Sequence, residues 1–194
     1  MTYSSKIFTL PTLTGISEEQ VAVHLKLYEG YVTHTNKIAT ILAASRDGSA
    51  PLDAYVEAEL RRRFAFEFCG MRLHEYYFEQ FEHGATPLAD SSRAAQLATA
   101  KYDSVDGFIA HIKAVAATRG IGWVVVTHDP VLDTLHTTFV ADHELGNLAG
   151  LDIILALDLW EHAYMVDRVP AQKMEYVDAF FANLNWDVVA KRLA

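Results

Sequence analysis

An aspartate and a histidine in the last quarter of the chain have a spacing that suits metal binding. Asp158 and His162 are four residues apart. On one turn of helix, or where a strand passes into a helix, this spacing brings a carboxylate and an imidazole to the same side. Transition metals accept both ligand types. Alone, such a pair is more often solvated or an ion pair at a helix end, so the flanking residues have to decide.

The residues around this pair resemble the C-terminal signature of the iron/manganese superoxide dismutases. Residues 157–164, Leu-Asp-Leu-Trp-Glu-His-Ala-Tyr, match that signature nearly residue for residue. In the family the Asp and His are metal ligands, and one further His ligand lies on each of the first two long helices. His24 and His74 stand at these positions, although either histidine alone would more often be an ordinary surface or core residue. The resemblance implies a metal site of His24, His74, Asp158 and His162.

The resemblance also implies one Fe or Mn ion per chain and superoxide as the substrate. Three imidazoles and a carboxylate suit zinc as well, so ligand type alone does not choose the element. In the family a solvent molecule is the fifth ligand, and the metal alternates between two oxidation states. One superoxide is oxidised to O₂ and the next is reduced to H₂O₂. The alternatives are a metal-binding protein of the same fold with lost or altered dismutase activity and, more remotely, a helical binding protein with incidental histidines.

In the family, two positions carry side chains that tune the redox potential of the metal, and this chain has other residues there. In the family a Gln reaches the bound solvent from four residues before the second ligand, as is usual in iron enzymes, or from the hairpin, as is usual in manganese enzymes. The first position is Gly70 and the second is His143, which resembles the His-bearing variant of the family. His143 is therefore a catalytic candidate, with a loop histidine of no role as the alternative. The choice between iron and manganese stays open.

A tyrosine at the channel mouth of the family stands eight positions after the first ligand, whereas Tyr31 comes seven after His24. A step of seven residues at about 100° per residue returns to nearly the same helix face. We therefore predict that Tyr31 takes the catalytic role, provided that this helix lacks a one-residue bulge that others carry. A Tyr31 hydroxyl far from the site, with Tyr28 in its place, would make the alignment wrong.

Several residues bear on an interface and on the wall of the site. Tyr28 and Met165 replace a His and a Tyr that in the family meet across the dimer interface, which predicts an altered but mutually fitted interface. In the family the residue at Glu161 bonds a ligand His of the other subunit, so the resemblance implies a homodimer or higher homo-oligomer. Trp123 and Trp160 match the aromatic wall around the metal, and simple core packing explains them equally well.

Two long helical patterns must carry the first two histidines. Ser17 offers an N-cap followed by acidic residues, and apolar side chains then recur at helical spacing from Val21 onward. A cluster of helix breakers lies at residues 46–51. A second pattern runs from about Ala54 to about Phe81. The sequence therefore predicts an α-hairpin.

The rest of the chain mixes helices and strands. Shorter helices are predicted at 91–99 and 104–117, strands at 123–127, 135–140 and 152–157, and helix from Trp160 onward, with Pro170 near a helix start. The predicted fold class is α+β. An N-terminal long α-hairpin domain, residues 1–86, precedes a C-terminal domain, residues 87–194, of helices around a three-stranded antiparallel sheet.

Composition narrows the function classes further. The 194 residues are 51% apolar, enough for one good core or two small ones. The formal net charge of -9 argues against a nucleic-acid partner. No apolar run approaches the roughly 18 residues of a membrane span. The single Cys69 excludes an internal disulfide framework, and the first six residues lack the apolar core of a secretory signal, so we expect a cytoplasmic protein.

Overall fold

The structure, a computed structural model, describes residues 2–193, so the outer bounds Met1 and Ala194 of the two predicted domains lie outside it. The helices are α1 (Glu18–Arg46), α2 (Ala54–Glu79), α3 (Arg93–Tyr102), α4 (Val105–Ala116), α5 (Lys173–Asn183) and α6 (Trp186–Lys191). The strands are β1 (Gly122–Asp129), β2 (Thr134–Ala141) and β3 (Asp152–Asp158). This content confirms the predicted α+β class. No helix in the described part of the chain has the length and apolar character needed to cross a membrane.

Helix α1 begins and ends where local signals place it. The Ser17 hydroxyl accepts a hydrogen bond from the Gln20 amide at 3.0 Å, and two glutamates in the first turn complement the helix dipole. The helix ends just before Gly48, whose φ of 81° suits glycine. Between these ends the α-helix is uninterrupted over 29 residues, so it contains no bulge.

Helix α2 runs back along α1 and buries the second half of its length. Its N-cap is Asp53, whose carboxylate accepts from the Tyr55 amide at 2.9 Å. The buried residues crowd into its second half, where Met71, Leu73, Tyr77 and Phe78 face the interior beside His74. The metal-ligand candidate on α2 therefore lies in the buried half of this helix.

The three strands form an antiparallel sheet in the order β2-β1-β3. Trp123 of the central strand pairs with Val140 on one side and with Asp158 on the other. This register places Asp158, the last residue of β3, next to the start of β1. The sheet thereby delivers one carboxylate and one tryptophan to the same end.

One hydrophobic core joins the helical hairpin to the sheet. Tyr77 of α2 and Phe81, two residues after the end of that helix, pack against Phe180 of α5, with ring centroids 5.8 and 5.4 Å away. The buried Gln80 side chain donates to the Ala156 carbonyl at 2.8 Å and accepts from the Ala156 amide at 2.9 Å. Helix α2 is thus fastened to β3, and the division of the chain at residues 86 and 87 stays a prediction.

The predicted continuous helix from Trp160 is wrong between that residue and α5. Short 3₁₀ turns at Glu161–Ala163 and Pro170–Gln172 replace it. An α-helix here would need the Val166 amide to bond to the His162 carbonyl. Instead both groups bond to the Gln20 side chain, which donates to the His162 carbonyl at 2.6 Å and accepts from the Val166 amide at 2.9 Å. A residue from α1 therefore interrupts the helix.

Candidate metal centre

The fold brings four predicted ligands together from four separate elements. His24 comes from α1, His74 from α2, Asp158 from the end of β3 and His162 from the following 3₁₀ turn. One ligand atom from each lies within 4.8 Å of all the others. Asp158 Oδ2 is 3.0 Å from His24 Nε2, 3.2 Å from His162 Nε2 and 3.5 Å from His74 Nε2. Two atoms that each lie about 2.1 Å from one ion are separated by about 3 Å, so this spacing fits a shared metal.

Burial disfavours the charged forms of His24, His74 and Asp158. It lowers the pKa of His24 and lowers that of His74 well below its ordinary value, so both imidazoles are neutral near pH 7. Burial also works against ionisation of Asp158, but the charge and hydrogen bond of His162, together with the His24 contact, outweigh it and hold the Asp158 pKa well below its usual range. Neutral imidazole and ionised carboxylate are the forms that bind metal ions.

The Nε2 atom of His74 gives the most direct structural indication of a metal site. The Nδ1 atom of the same ring donates to the Gly70 carbonyl at 2.6 Å, so the neutral ring presents a lone pair at Nε2. That Nε2 is buried, and among residues 2–193 it has no hydrogen-bond partner. An unpaired buried acceptor costs about 1–3 kcal/mol. A bound cation would satisfy it, and three imidazoles with one carboxylate fit iron, manganese or zinc.

Backbone contacts aim the carboxylate. The Trp160 amide donates to Asp158 Oδ1 at 2.8 Å, which leaves Oδ2 facing the three imidazoles. Gln20, one helical turn before His24, holds the His162 carbonyl from the other side. Such contacts behind the ligands fix their orientation.

A hydrogen-bonded chain of three side chains borders the ligands. Trp123 Nε1 donates to His143 Nδ1 at 2.9 Å, so the proton of the neutral ring is on Nε2, which donates to the Tyr31 hydroxyl at 2.8 Å. Burial lowers the pKa of His143 to about 4, which keeps the ring neutral. Burial, helped by the charge of Asp158, raises the pKa of Tyr31. The Tyr31 hydroxyl therefore keeps its proton and can donate it.

The two candidate tyrosines of α1 go to different places. The Tyr31 ring centroid is 5.1 Å from that of His74, beside the ligands. The Tyr28 hydroxyl instead accepts from the Lys6 amide at 2.9 Å and contacts Glu75 Oε1 at 3.2 Å, and burial raises the Tyr28 pKa to about 12. The structure thus brings Tyr31 to the ligand cluster, as the bulge-free helix requires. Its catalytic role stays a prediction.

The predicted interface residues divide between interior and surface. Tyr28 is 1% exposed and its hydroxyl is engaged within its own chain. Met165, three residues after His162, is 44% exposed, and Glu161, directly before His162, is exposed. Their contact with a second subunit stays a prediction.

Aromatic rings enclose the cluster. Trp123 meets the His74 ring edge-on at 5.0 Å, and Trp160 stacks on His143 at 4.9 Å and on His162 at 5.6 Å. Sequence reasoning missed Phe66, whose ring is 4.6 Å from His143. It also missed Gln20, although the four-residue spacing from His24 puts both on one helix face and could have identified it.

Comparison with known proteins agrees with this geometry. The family described as "Iron/manganese superoxide dismutases, C-terminal domain" matches residues 90–192. The chain is 35% identical over 184 residues to "Superoxide dismutase [Fe]" of Aquifex aeolicus, covering 93% of this chain and 85% of that protein. It is 30% identical over 177 residues to "Superoxide dismutase [Mn]" of Haloarcula marismortui, covering 91% and 84%.

A third relative has both metals in its name. "Superoxide dismutase [Mn/Fe]" of Aeropyrum pernix is 30% identical over 175 residues, covering 88% of this chain and 78% of that protein. Similarity therefore extends along most of the sequence and includes both halves of the ligand set. The chain belongs to the iron/manganese superoxide dismutase family.

Proposed function

We propose that this protein is a superoxide dismutase that uses one Fe or Mn ion held by His24, His74, Asp158 and His162. It converts two superoxide anions and two protons into one O₂ and one H₂O₂. The observation that carries the proposal is the convergence of four ligand atoms around the unpaired His74 Nε2 in a member of this family. When bound, the ion supplies the one-electron couple that the reaction needs.

The residues around the ligands orient them and hold protons for the reaction. Gly70 and Trp160 orient His74 and Asp158 through their backbone groups. Reduction of superoxide consumes protons, and the hydrogen-bonded pair of His143 and Tyr31 holds them at Nε2 and at the hydroxyl oxygen. Protonated side chains held in place next to the reacting groups are the arrangement that general acid catalysis uses.

The proposed ion is either iron or manganese. The relatives named above carry Fe, Mn or Mn/Fe in their names. The ligand set accepts either element. Through its hydrogen bond to Tyr31, His143 can influence the redox potential of either ion.

We further propose that the protein is a cytoplasmic, antioxidant homodimer, or higher homo-oligomer, with no nucleic-acid partner. The surface proposed for the contact follows His162 and includes Met165, Val166 and Val169, which are 44%, 42% and 58% exposed. Exposed apolar residues that cluster in this way are typical of interaction sites. The single Cys69 is free, as suits a reducing compartment.

Metal analysis combined with a superoxide-scavenging assay tests the function. Protein is purified from cells supplied with iron or with manganese, stripped of metal, and reconstituted with each ion in turn. We expect activity to vanish on stripping and to return with iron, manganese or both. Stoichiometric metal without scavenging would contradict the proposal and favour a metal-binding protein of altered activity.

A further inference from the structure

Gly70 is a glycine in the middle of a long helix, one turn before His74, and it is buried. A glycine inside a helix costs about 1 kcal/mol relative to alanine, because it loses more backbone freedom on folding. Its backbone has an ordinary helical conformation, so no positive φ requires it. The reason for glycine here has to lie in the space around it.

That space is filled by the ring of Tyr31. A Cβ atom on Gly70 would lie 2.7 Å from Tyr31 Cδ1 and 2.8 Å from Cε1, distances that real Cβ contacts essentially never show. These are atoms of a rigid ring rather than the end of a flexible side chain. The rings of His143 and Phe66 also pack against Tyr31, with centroids 4.9 and 6.2 Å from that of Tyr31, so Gly70 is not the only neighbour that limits the position of the ring.

We infer that Gly70 is a positioning residue that holds Tyr31 in place for proton supply. Any side chain at this position would turn the Tyr31 ring about its own Cα–Cβ bond. The hydroxyl, at the far end of the ring, would move farther than Cδ1 and leave the hydrogen bond to His143 Nε2. The catalytic consequence of this inference rests on the proposed dismutase function, whereas the steric contact does not.

A second glycine provides a matched control. Gly30 lies inside α1, and a Cβ there would meet nothing within 4 Å. Alanine at either position gains the same helix propensity, about fivefold in the unfolding equilibrium constant. With metal content matched, we expect Gly30→Ala to raise the midpoint of denaturant unfolding and Gly70→Ala to lower it.

Two substitutions at Tyr31 separate the contribution of its ring from that of its hydroxyl. In Tyr31→Ala the ring is gone, so adding Gly70→Ala is expected to raise the unfolding midpoint as Gly30→Ala does. In Tyr31→Phe the ring remains, so adding Gly70→Ala still lowers the midpoint. Dismutase activity behaves differently, because Gly70→Ala reduces activity in the parent protein but causes no further loss once the hydroxyl is absent in Tyr31→Phe.

Each result supports or overturns the inference. If Gly70→Ala raises the unfolding midpoint in the parent protein as much as Gly30→Ala does, the steric contact is refuted whatever the activity. If its activity loss adds to that of Tyr31→Phe, Gly70 acts by another route and the positioning role is refuted. A parent protein that binds metal without dismutation would refute the proposed function alone, since the unfolding comparison still reports on the contact.

Discussion

The two ring nitrogens of His74 have separate tasks. Nδ1 is committed to the Gly70 carbonyl, which leaves the buried Nε2 as an acceptor without a partner in residues 2–193. The resemblance to the family locates this histidine, but the sequence does not show which nitrogen faces the ion. That assignment depends on a backbone carbonyl one turn earlier in the helix, which only the folded chain places.

His74→Ala is expected to abolish metal binding, because it removes one of four ligands and the acceptor with no other partner. Most helical content should remain, since alanine favours helix. Metal analysis and far-ultraviolet circular dichroism check both expectations. His34→Ala, an exposed histidine on α1, is the control and should keep full metal content. Full occupancy in the His74 variant would refute the site as drawn.

His143 links Trp123 to Tyr31, and a substitution there should act on turnover more than on metal content. We expect His143→Leu to lower dismutase activity by about tenfold or more, because the Tyr31 hydroxyl loses its only hydrogen-bond donor among the described residues. His143→Gln, which can still donate and accept, should retain more activity. Steady-state rates per bound metal give the comparison.

The matched control for His143 lies in β2, which ends two residues before it. His136→Leu makes the same change in β2, where the ring contacts Asp129 instead of the ligand cluster. It should keep parental activity. Equal losses in the two leucine variants would indicate general damage to the hairpin and contradict a special role for His143.

At the scale of elements, two glutamines join the helical hairpin to the segment that carries Asp158 and His162. Gln80, the C-cap of α2, bonds to both backbone groups of Ala156, and Gln20 of α1 bonds to the His162 carbonyl and the Val166 amide. Each side-chain amide takes the place of a backbone partner. The hairpin thereby fixes the orientation of ligands that it does not itself contain.

Gln20→Met keeps the length of the side chain but removes both hydrogen bonds. We expect about 1–3 kcal/mol of lost stability, because two partly buried hydrogen bonds to the His162 carbonyl and the Val166 amide are lost. We also expect faster release of the bound metal, since the His162 turn is less firmly held. Transfer of the ion to a chelator, followed with time, measures the release.

The same substitution at an exposed site is the control for Gln20. Gln96→Met on α3 should release metal at the parental rate. If the Gln20 variant also releases metal at that rate, the side chain contributes to folding without positioning His162.

Most helix limits could be predicted because their signals are local. Ser17 and Asp53 cap the helices that follow them, and the breaker cluster at residues 46–51 separates the two. The non-helical stretch before α5 could not be predicted, because its cause, Gln20, lies over 140 residues away in the sequence. For the same reason, the contact of Gly70 with Tyr31 is invisible to any pattern within one helix.

At the scale of the whole molecule, the surface proposed for the subunit contact combines the exposed apolar side chains after His162 with Glu161, which directly precedes it. We expect a particle of twice the chain mass of 21.7 kDa in size-exclusion chromatography with light scattering. Met165→Asp should weaken this assembly, because a carboxylate in an apolar contact is costly to desolvate. A monomer at micromolar concentration would contradict the proposed homodimer.

The β1–β2 turn offers a control surface for assembly. Leu132 is 73% exposed at the tip of that hairpin, away from the ligand cluster. Leu132→Asp should leave the mass of the assembly unchanged. Loss of assembly in this variant would move the interface to the hairpin tip.

The four ligands are distributed so that no short segment contains the whole site. Two lie in the helical hairpin and two lie beyond the first strands, so a bound ion links stretches that are far apart along the chain. Because unfolding separates these stretches, the site exists only in the folded protein, and an ion that binds only the folded form stabilises it in proportion to the logarithm of the ion's concentration. Unfolded chains are removed continuously in cells. A cell short of iron and manganese would therefore contain less of this protein, in addition to a less active form of it.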